Sequence, residues 1–275
     1  MNLAFSNIAV EYSSSDKGGE SLVALENLSL TVGSGESVAV IGPSGCGKST
    51  LLRLASGLLA PTSGAVEADG ARVEGPRRGT ALILQDYGLL PWKTVRANAE
   101  LGLTVQRVAR AERRRRAEEA LAAVGLERFA DAYPSELSGG MQQRLALARA
   151  MAMDADLLLM DEPLSALDAL LREEIQDMLL RSWRERGYSQ ILVTHSIEEA
   201  VFLGRRIVVM APRPGRIVAE LENPEMGRAD YRSSEAFFER CRAVRAALER
   251  GTRGGGPEAD AASGGVADGE AGCGR

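Results

Sequence analysis

The run Ser37-Val38-Ala39-Val40-Ile41 leads directly into Gly42-Pro43-Ser44-Gly45-Cys46-Gly47-Lys48-Ser49-Thr50, and a helical stretch from Thr50 to Gly57 comes next. A short apolar run without alternation reads as a strand buried on both faces, as strands of parallel sheets are. Parallel strands need crossover connections, so the chain is expected to be α/β. Between such a strand and such a helix, the spacing G-x-x-x-x-G-K-[ST] builds a phosphate-binding loop. Its glycines let backbone N–H groups curl around phosphate oxygens with no Cβ in the way. Lys48 supplies a positive charge at the β- and γ-phosphates, and Ser49 offers a hydroxyl to Mg²⁺. The whole loop, Gly42, Pro43, Ser44, Gly45, Cys46, Gly47, Lys48, Ser49 and Thr50, is therefore a candidate nucleotide site. Cys46 is either a small residue that fits the loop or a thiol that makes it sensitive to oxidation.

Other strand ends fall where ligands bind in open α/β sheets, just past the C-terminal edge. Asp156-Leu157-Leu158-Leu159-Met160-Asp161-Glu162-Pro163 is a second buried-strand run, ending in two acids. Two acids before a proline can be a plain turn. Beside a phosphate loop they make a Mg²⁺ and water site, with Asp161 as the metal carboxylate and Glu162 as the general base. Thr80-Ala81-Leu82-Ile83-Leu84 ends at Gln85, which is either an ordinary loop amide or a site residue. Gln190-Ile191-Leu192-Val193-Thr194 ends at His195, the chain's one histidine, and a lone histidine is more often structural than catalytic. Ser196-Ile197-Glu198-Glu199 has the form of a capping box.

Leu137-Ser138-Gly139-Gly140-Met141-Gln142-Gln143-Arg144 precedes a helical run, Leu145 to Met153. Ser138 reads as a helix N-cap with a flexible glycine entry. It reads equally as part of an anion site, since the N–H groups at a helix start and the helix dipole both favour negative charge. Tyr12 ends a strand-like segment over 3–12. A polar loop, 13–20, separates it from a second strand-like run, 22–32.

Composition narrows the partners. The net charge is −5 over 275 residues, so no overall basic field points to nucleic acid. Arg113 to Arg116, followed by Glu118 and Glu119, reads as a solvated helix face laced with i,i+3 and i,i+4 ion pairs rather than a nucleic-acid patch. Cys46, Cys241 and Cys273 form no CxxC pair, as expected in a reducing compartment. The start lacks the basic and apolar segments of a signal peptide, and no apolar run approaches the roughly 18 residues of a membrane span. The Pro-bearing loop Tyr87 to Val95, with Trp92, either packs on its own domain or faces a partner.

Taken together, Gly42–Thr50, Gln85, Leu137–Gln143, Leu158–Glu162, Ser165–Asp168 and His195 resemble, in kind and order, the motifs of ABC-type ATPases. The resemblance covers about residues 3–220. It implies a P-loop α/β core from roughly 1–86 and 155–225, a helical subdomain over about 87–154, and a small antiparallel β region. One ATPase domain would span 1–230, followed by a C-terminal helix over 231–250. The tail 251–275, rich in Gly, Ala and acids, is expected to be disordered.

In that family two chains dimerise head to tail around ATP. Ser138, Gly139 and Gly140 would then bind the nucleotide held by the partner, and the isolated chain would hydrolyse slowly. Tyr12 would stack on adenine, unless it is simply a strand aromatic. Gln85 would contact Mg²⁺ and the attacking water, and His195 would hold the γ-phosphate. Residues 89–95 and 211–217 further resemble the nitrate/sulfonate/taurine group of bacterial importers. That implies transmembrane permease subunits as partners, indirectly a solute-binding protein, and a place on the cytoplasmic face of the cell membrane. ABC-type ATPases acting on DNA usually carry long coiled-coil or zinc insertions, and translation factors two tandem cassettes; neither pattern occurs in this sequence. A regulator without turnover would be expected to lack Glu162 or His195.

Overall fold

The computed structural model describes residues 1–12, 21–212 and 214–253. The loop at 13–20, Arg213 of the turn before residue 216, Cys273 and the tail from 254 expected to be disordered all lie outside the described residues. In chain order the strands are β1 (Leu3–Tyr12), β2 (Leu22–Val32), β3 (Ser37–Ile41), β4 (Ser63–Ala68), β5 (Ala71–Arg72), β6 (Thr80–Ile83), β7 (Leu157–Asp161), β8 (Ser189–Thr194), β9 (Arg206–Ala211) and β10 (Arg216–Glu222). The α-helices are α1 (Lys48–Ala55), α2 (Val95–Ala99), α3 (Leu101–Val105), α4 (Arg110–Ala123), α5 (Gly139–Met151), α6 (Ala169–Arg186), α7 (Ile197–Leu203) and α8 (Glu235–Arg253).

The strands form two sheets. One is antiparallel, in the order β2-β1-β4-β5; the other has the order β10-β9-β3-β8-β7-β6. In the second sheet β6, β7, β8, β3 and β9 run parallel, and β10 closes the edge antiparallel to β9. This is the α/β class with a small antiparallel region that the sequence leads one to expect. Segment 87–154 carries α2 to α5.

The unalternating strands have a simple cause. Val38 and Val40 of β3, with Leu157 and Leu159 of β7, face a core shared with the antiparallel sheet and α1. Ala39 and Ile41, with Leu158 and Met160, face a core shared with the other helices. Successive side chains point to opposite faces, so a strand between two cores must be apolar at every position.

Register then decides where the site goes. Ile41 pairs with Thr194, Val193 with Asp161, and Met160 with Ile83. The parallel strands therefore end nearly level, and the loops leaving their C-terminal ends emerge along one edge.

Helix ends obey local chemistry. The side chains of Thr94, Ser138, Asp168 and Ser196 cap α2, α5, α6 and α7, accepting N–H bonds from Ala97, Met141, Leu171 and Glu199. Helix α6 stops at Gly187, in the left-handed conformation (φ 66°) that glycine accepts without strain. On α4 the arginine run is ion-paired to Glu112, Glu118 and Glu119, and Arg113 to Glu100.

Two expectations are corrected. The capping box at Ser196 is only half formed: Ser196 accepts from Glu199 N–H, but its own N–H donates to Thr194 Oγ1 at 3.1 Å. The Glu199 carboxylate turns inward to the Thr194 hydroxyl instead. Helix α8 also runs on to Arg253, past the point where the tail was expected to start. Gly251 is buried there, where a Cβ would lie 2.9 Å from Val218 of β10.

Beyond β10, buried Asn223 donates to Val201 O at 2.7 Å and Gly204 O at 2.8 Å, at the end of α7. Its Oδ1 accepts from the Tyr231 hydroxyl at 2.5 Å. Tyr231→Phe leaves that buried acceptor unpaired. We expect a loss of about 1–3 kcal/mol, read as a lower urea midpoint with unchanged slope; an unchanged midpoint would show that the latch carries no stability.

Candidate functional site

The loop after β3 is shaped by its glycines. Gly45 and Gly47 have φ of 77° and 93°, and a Cβ on Gly47 would stand 2.4 Å from Leu25 Cδ2. Helix α1 opens at once: its first backbone bond is Leu51 N–H to Gly47 O at 2.9 Å. The N–H groups of Lys48, Ser49 and Thr50 precede it and so have no intrahelical acceptor. The Lys48 ammonium, nearly buried, donates to Gly42 O at 2.8 Å and Pro43 O at 3.0 Å. Cations of this kind bind phosphate oxygens strongly when offered them. Cys46 is fully buried, and burial pushes its thiol pKa up. The reactive thiolate is thus disfavoured, which supports the packing role.

A groove of about 360 Å³ lies over this loop, lined by Tyr12, Ser44, Gly45, Gly47 to Thr50, Gln85 and Glu162. The Tyr12 hydroxyl is 3.3 Å from Thr50 Oγ1, so the aromatic belongs to the groove wall. A second hollow of about 540 Å³ is lined by Ser49, Arg53, Gln85 and Asp161 among others. Ser49 and Gln85 border both.

The two acids differ in setting. Asp161 is buried, and burial raises its pKa; the Ser49 hydroxyl opposes that shift, the neighbouring Glu162 charge adds to it, and Lys48 again opposes. Glu162 turns outward with φ 49°, a left-handed conformation that costs a non-glycine residue on the order of 1 kcal/mol or more. Its N–H is held by Val193 O at 2.9 Å. One carboxylate oxygen lies 3.3 Å from His195 Nδ1. The His195 side chain is 66% exposed, so it is not a core histidine.

Ser138, Gly139 and Gly140 do not line the groove. They sit at the exposed start of α5, where Ser138 caps Met141 N–H at 3.4 Å. The N–H groups of Gly139 and Gly140 come before that bond and face out of the helix start. Trp92 is 72% exposed, so its loop does not bury it against its own domain.

Three residues of this region have roles that the sequence does not give: there Gln143 only ends the Leu137–Gln143 motif, Glu199 is only part of a capping box, and Arg149 has no reading at all. Gln143 is buried and bonds the main chain beyond β7. Arg149 donates to Tyr87 O and Gly88 O, both at 2.6 Å, and so pins the loop after Gln85. Glu199 lies buried under the His195 turn, with Oε1 lacking a hydrogen-bond partner among the described residues.

Burial raises the Glu199 carboxyl from 4.5 to about 7, against the opposing Thr194 bond and the Arg172 and His195 charges. A raised carboxyl pKa means that the neutral form is favoured on folding. The stability it contributes is fully present below pH 4.5 and lost as pH rises through about 7. Glu199→Gln removes that titration. We expect the variant to gain on the wild type between pH 5 and 8, by roughly 3 kcal/mol at most. Urea midpoints across that range check this, and parallel curves would refute it.

With this geometry in view, the likenesses to known proteins are informative. Residues 25–165 match the sequence family described as ABC transporter. A taurine import ATP-binding protein TauB of Roseobacter denitrificans is 47% identical over 206 residues, 75% of this chain and 77% of that one. Its counterpart in Burkholderia pseudomallei (strain 1710b) is 52% identical over 198 residues, 72% and 76% of the two chains. Among solved structures, the ATP-binding cassette MJ0796, in a dimeric post-hydrolysis state bound to ADP and Pi, superposes with a TM-score of 0.74 at 35% identity. That match covers 80% of this chain and 98% of the other. A phosphate loop, a strand-end acid pair and a separate Ser-Gly-Gly helix start, on a cassette fold shared at this identity, lead to one conclusion: the chain belongs to the ABC transporter family, as one of its ATP-hydrolysing ATP-binding subunits.

Proposed function

We propose that this chain energises import of a small solute, such as taurine, another sulfonate or nitrate, through partner membrane subunits. It would work as a homodimer with ATP at the interface. The observation that carries this reading is the division of the site: Lys48, Ser49, Gln85 and Glu162 line one groove, while Ser138 to Gly140 stand apart at an exposed helix start. A second copy placed head to tail completes each groove with that helix start. Relatives named as taurine import proteins and dimeric cassette structures support the reading. No helix among the described residues is long and apolar enough to cross a membrane, which fits a peripheral subunit at the cytoplasmic face. A solute-binding protein would select the cargo on the far side. The helical subdomain of about 87–154, with Trp92 exposed on it, would face the permease.

In this mechanism the loop N–H groups and Lys48 hold the β- and γ-phosphates, and Tyr12 packs on the adenine. Glu162 takes a proton from the attacking water, and His195, beside it, contacts the γ-phosphate. Gln85 orients that water. Mg²⁺ fits the donor set: Asp161, the Ser49 hydroxyl and the Gln85 amide are hard oxygen donors. Among the described residues no cluster of three His, Cys, Asp or Glu side chains could hold a metal by itself, as suits an ion that also takes phosphate oxygens and water. Bound there, the ion supplies charge neutralisation at the phosphates.

Glu162→Gln should lower ATP turnover about 10²–10⁴-fold while ATP-bound dimer accumulates, seen as a doubled mass by light scattering. Undiminished phosphate release would overturn the base assignment. Specific activity of the wild type should rise with chain concentration, because each site needs two chains. For the transport reading, the chain is captured from detergent-solubilised membranes of its source. Recovery of a multi-spanning permease, whose reconstituted complex shows taurine-stimulated turnover with its binding protein, is expected. Recovery of soluble DNA-repair or ribosomal partners alone would overturn it.

A further inference from the structure

Gln143 lies on the first turns of α5, five positions after Ser138, and is 1% exposed. A buried primary amide offers two N–H donors and an acceptor oxygen, and each unmet bond is costly. Here all of its bonds go to a single turn. Nε2 donates to Glu162 O at 3.3 Å and to Ser165 Oγ at 3.4 Å, and Oε1 accepts from Ala166 N–H at 3.0 Å. The same turn is closed internally by Ser165 Oγ on Glu162 O at 3.1 Å. It also lies against the helix start: a Cβ on Gly140 would meet Ala166 O at 3.4 Å and Leu167 Cδ2 at 3.5 Å.

We propose that Gln143 is a positioning residue that ties the Ser138–Gly140 helix start to the backbone of Glu162. The proposal rests on the function proposed for the chain, in which Glu162 is the base and the helix start acts on the partner's nucleotide. Under that reading the two ends of α5's first turns serve different ATP molecules. Glu162 serves the nucleotide on its own phosphate loop, and Ser138 the nucleotide on the partner's. Gln143 is then a short mechanical link between the two sites of the dimer. Its bond to Glu162 O falls on a residue whose φ of 49° is not self-sustaining. That backbone conformation aims the carboxylate, and the amide is the bond from α5 that helps hold it, beside the Val193 and Ser165 bonds. A shift of α5 as it engages the partner's ATP is transmitted to Glu162 through one side chain.

Gln143→Leu keeps the approximate size and removes every bond. Gln143→Glu keeps the acceptor for Ala166 N–H and removes the donors to Glu162 O and Ser165 Oγ. In the complex with the permease, both should lower kcat about ten- to a hundredfold and leave KM for ATP within about twofold, because the phosphate loop is untouched. A merely structural residue would not produce this split; a raised KM with unchanged kcat would overturn the proposal. Should Gln143→Leu fail to fold, Gln143→Glu is read in the same way.

Mixed dimers, isolated through two affinity tags, make the decisive test. One chain carries Glu162→Gln, so only the groove of the other chain turns over. With Gln143→Leu or Gln143→Glu on the chain bearing the working Glu162, turnover should fall. With it on the Glu162→Gln chain, which lends only its Ser138 helix start to the working groove, turnover should persist. Loss in the second arrangement, alone or in equal measure, would mean that Gln143 only presents Ser138, and would overturn the link. No loss in either overturns it as well. A Glu162→Gln homodimer that hydrolyses ATP at the full rate would overturn the base assignment and the proposal together; a silent one with no loss in the first arrangement overturns the proposal alone.

Discussion

The parallel ladder β6-β7-β8-β3 is the constraint on which everything else hangs. Hydrogen bonds between parallel strands fix register residue by residue. A one-residue slip would turn each side chain to the opposite core. Here both faces are buried, so a slip costs twice, once in each core. The ladder pairs Ile41 with Thr194 and Val193 with Asp161, and the positions of the phosphate loop, the acids and His195 are set by those ends. No single side-chain contact assembles the groove; the register does.

Helix α5 contributes at a different scale. Its Gln143 holds the turn after β7, and its Arg149 holds the backbone at Tyr87 and Gly88 beyond Gln85. Arg149 is largely desolvated, which lowers its pKa, yet a guanidinium stays protonated. Its two backbone bonds are therefore charge-assisted and stronger than neutral ones. One helix thus grips two loops that border the groove, while its own start faces away from it. A rigid helix with contacts at both ends moves those loops together or not at all.

Much of this was legible in the sequence because the signals were local. The buried strands announce themselves by runs such as Leu157 to Met160, and the phosphate loop by spacing alone. Ser138 is a cap by residue type and position. What could not be read depends on distance through space. Glu199 has the sequence form of a capping box, but the Thr194 hydroxyl competes for its carboxylate and wins in the buried setting. Gly251 looks like the start of a low-complexity tail, and only the nearness of Val218 of β10 makes it a helical, buried position. The left-handed φ of Glu162 is set by Val193 O and the Gln143 amide, neither of which is a sequence neighbour. Gln143 closes the Leu137–Gln143 motif in the sequence, but its bonds to the turn after β7 appear only once that turn is packed against it.

Charge explains why such a site would wait for its partner. A nucleotide triphosphate brings several negative charges into a groove lined by Glu162 and Lys48, next to the hollow that Asp161 lines and that shares Ser49 and Gln85 with it. In the resting chain burial raises the Asp161 pKa, and the neighbouring Glu162 charge adds to that shift. A bound anion adds to this crowding of negative charge unless further positive potential arrives with it. In the proposed dimer, two sources supply it: the divalent ion at Asp161 and Ser49, and the helix start of a second α5, worth about half a positive charge. The second source exists only when two chains meet. In that dimer, closure and charge balance are the same event.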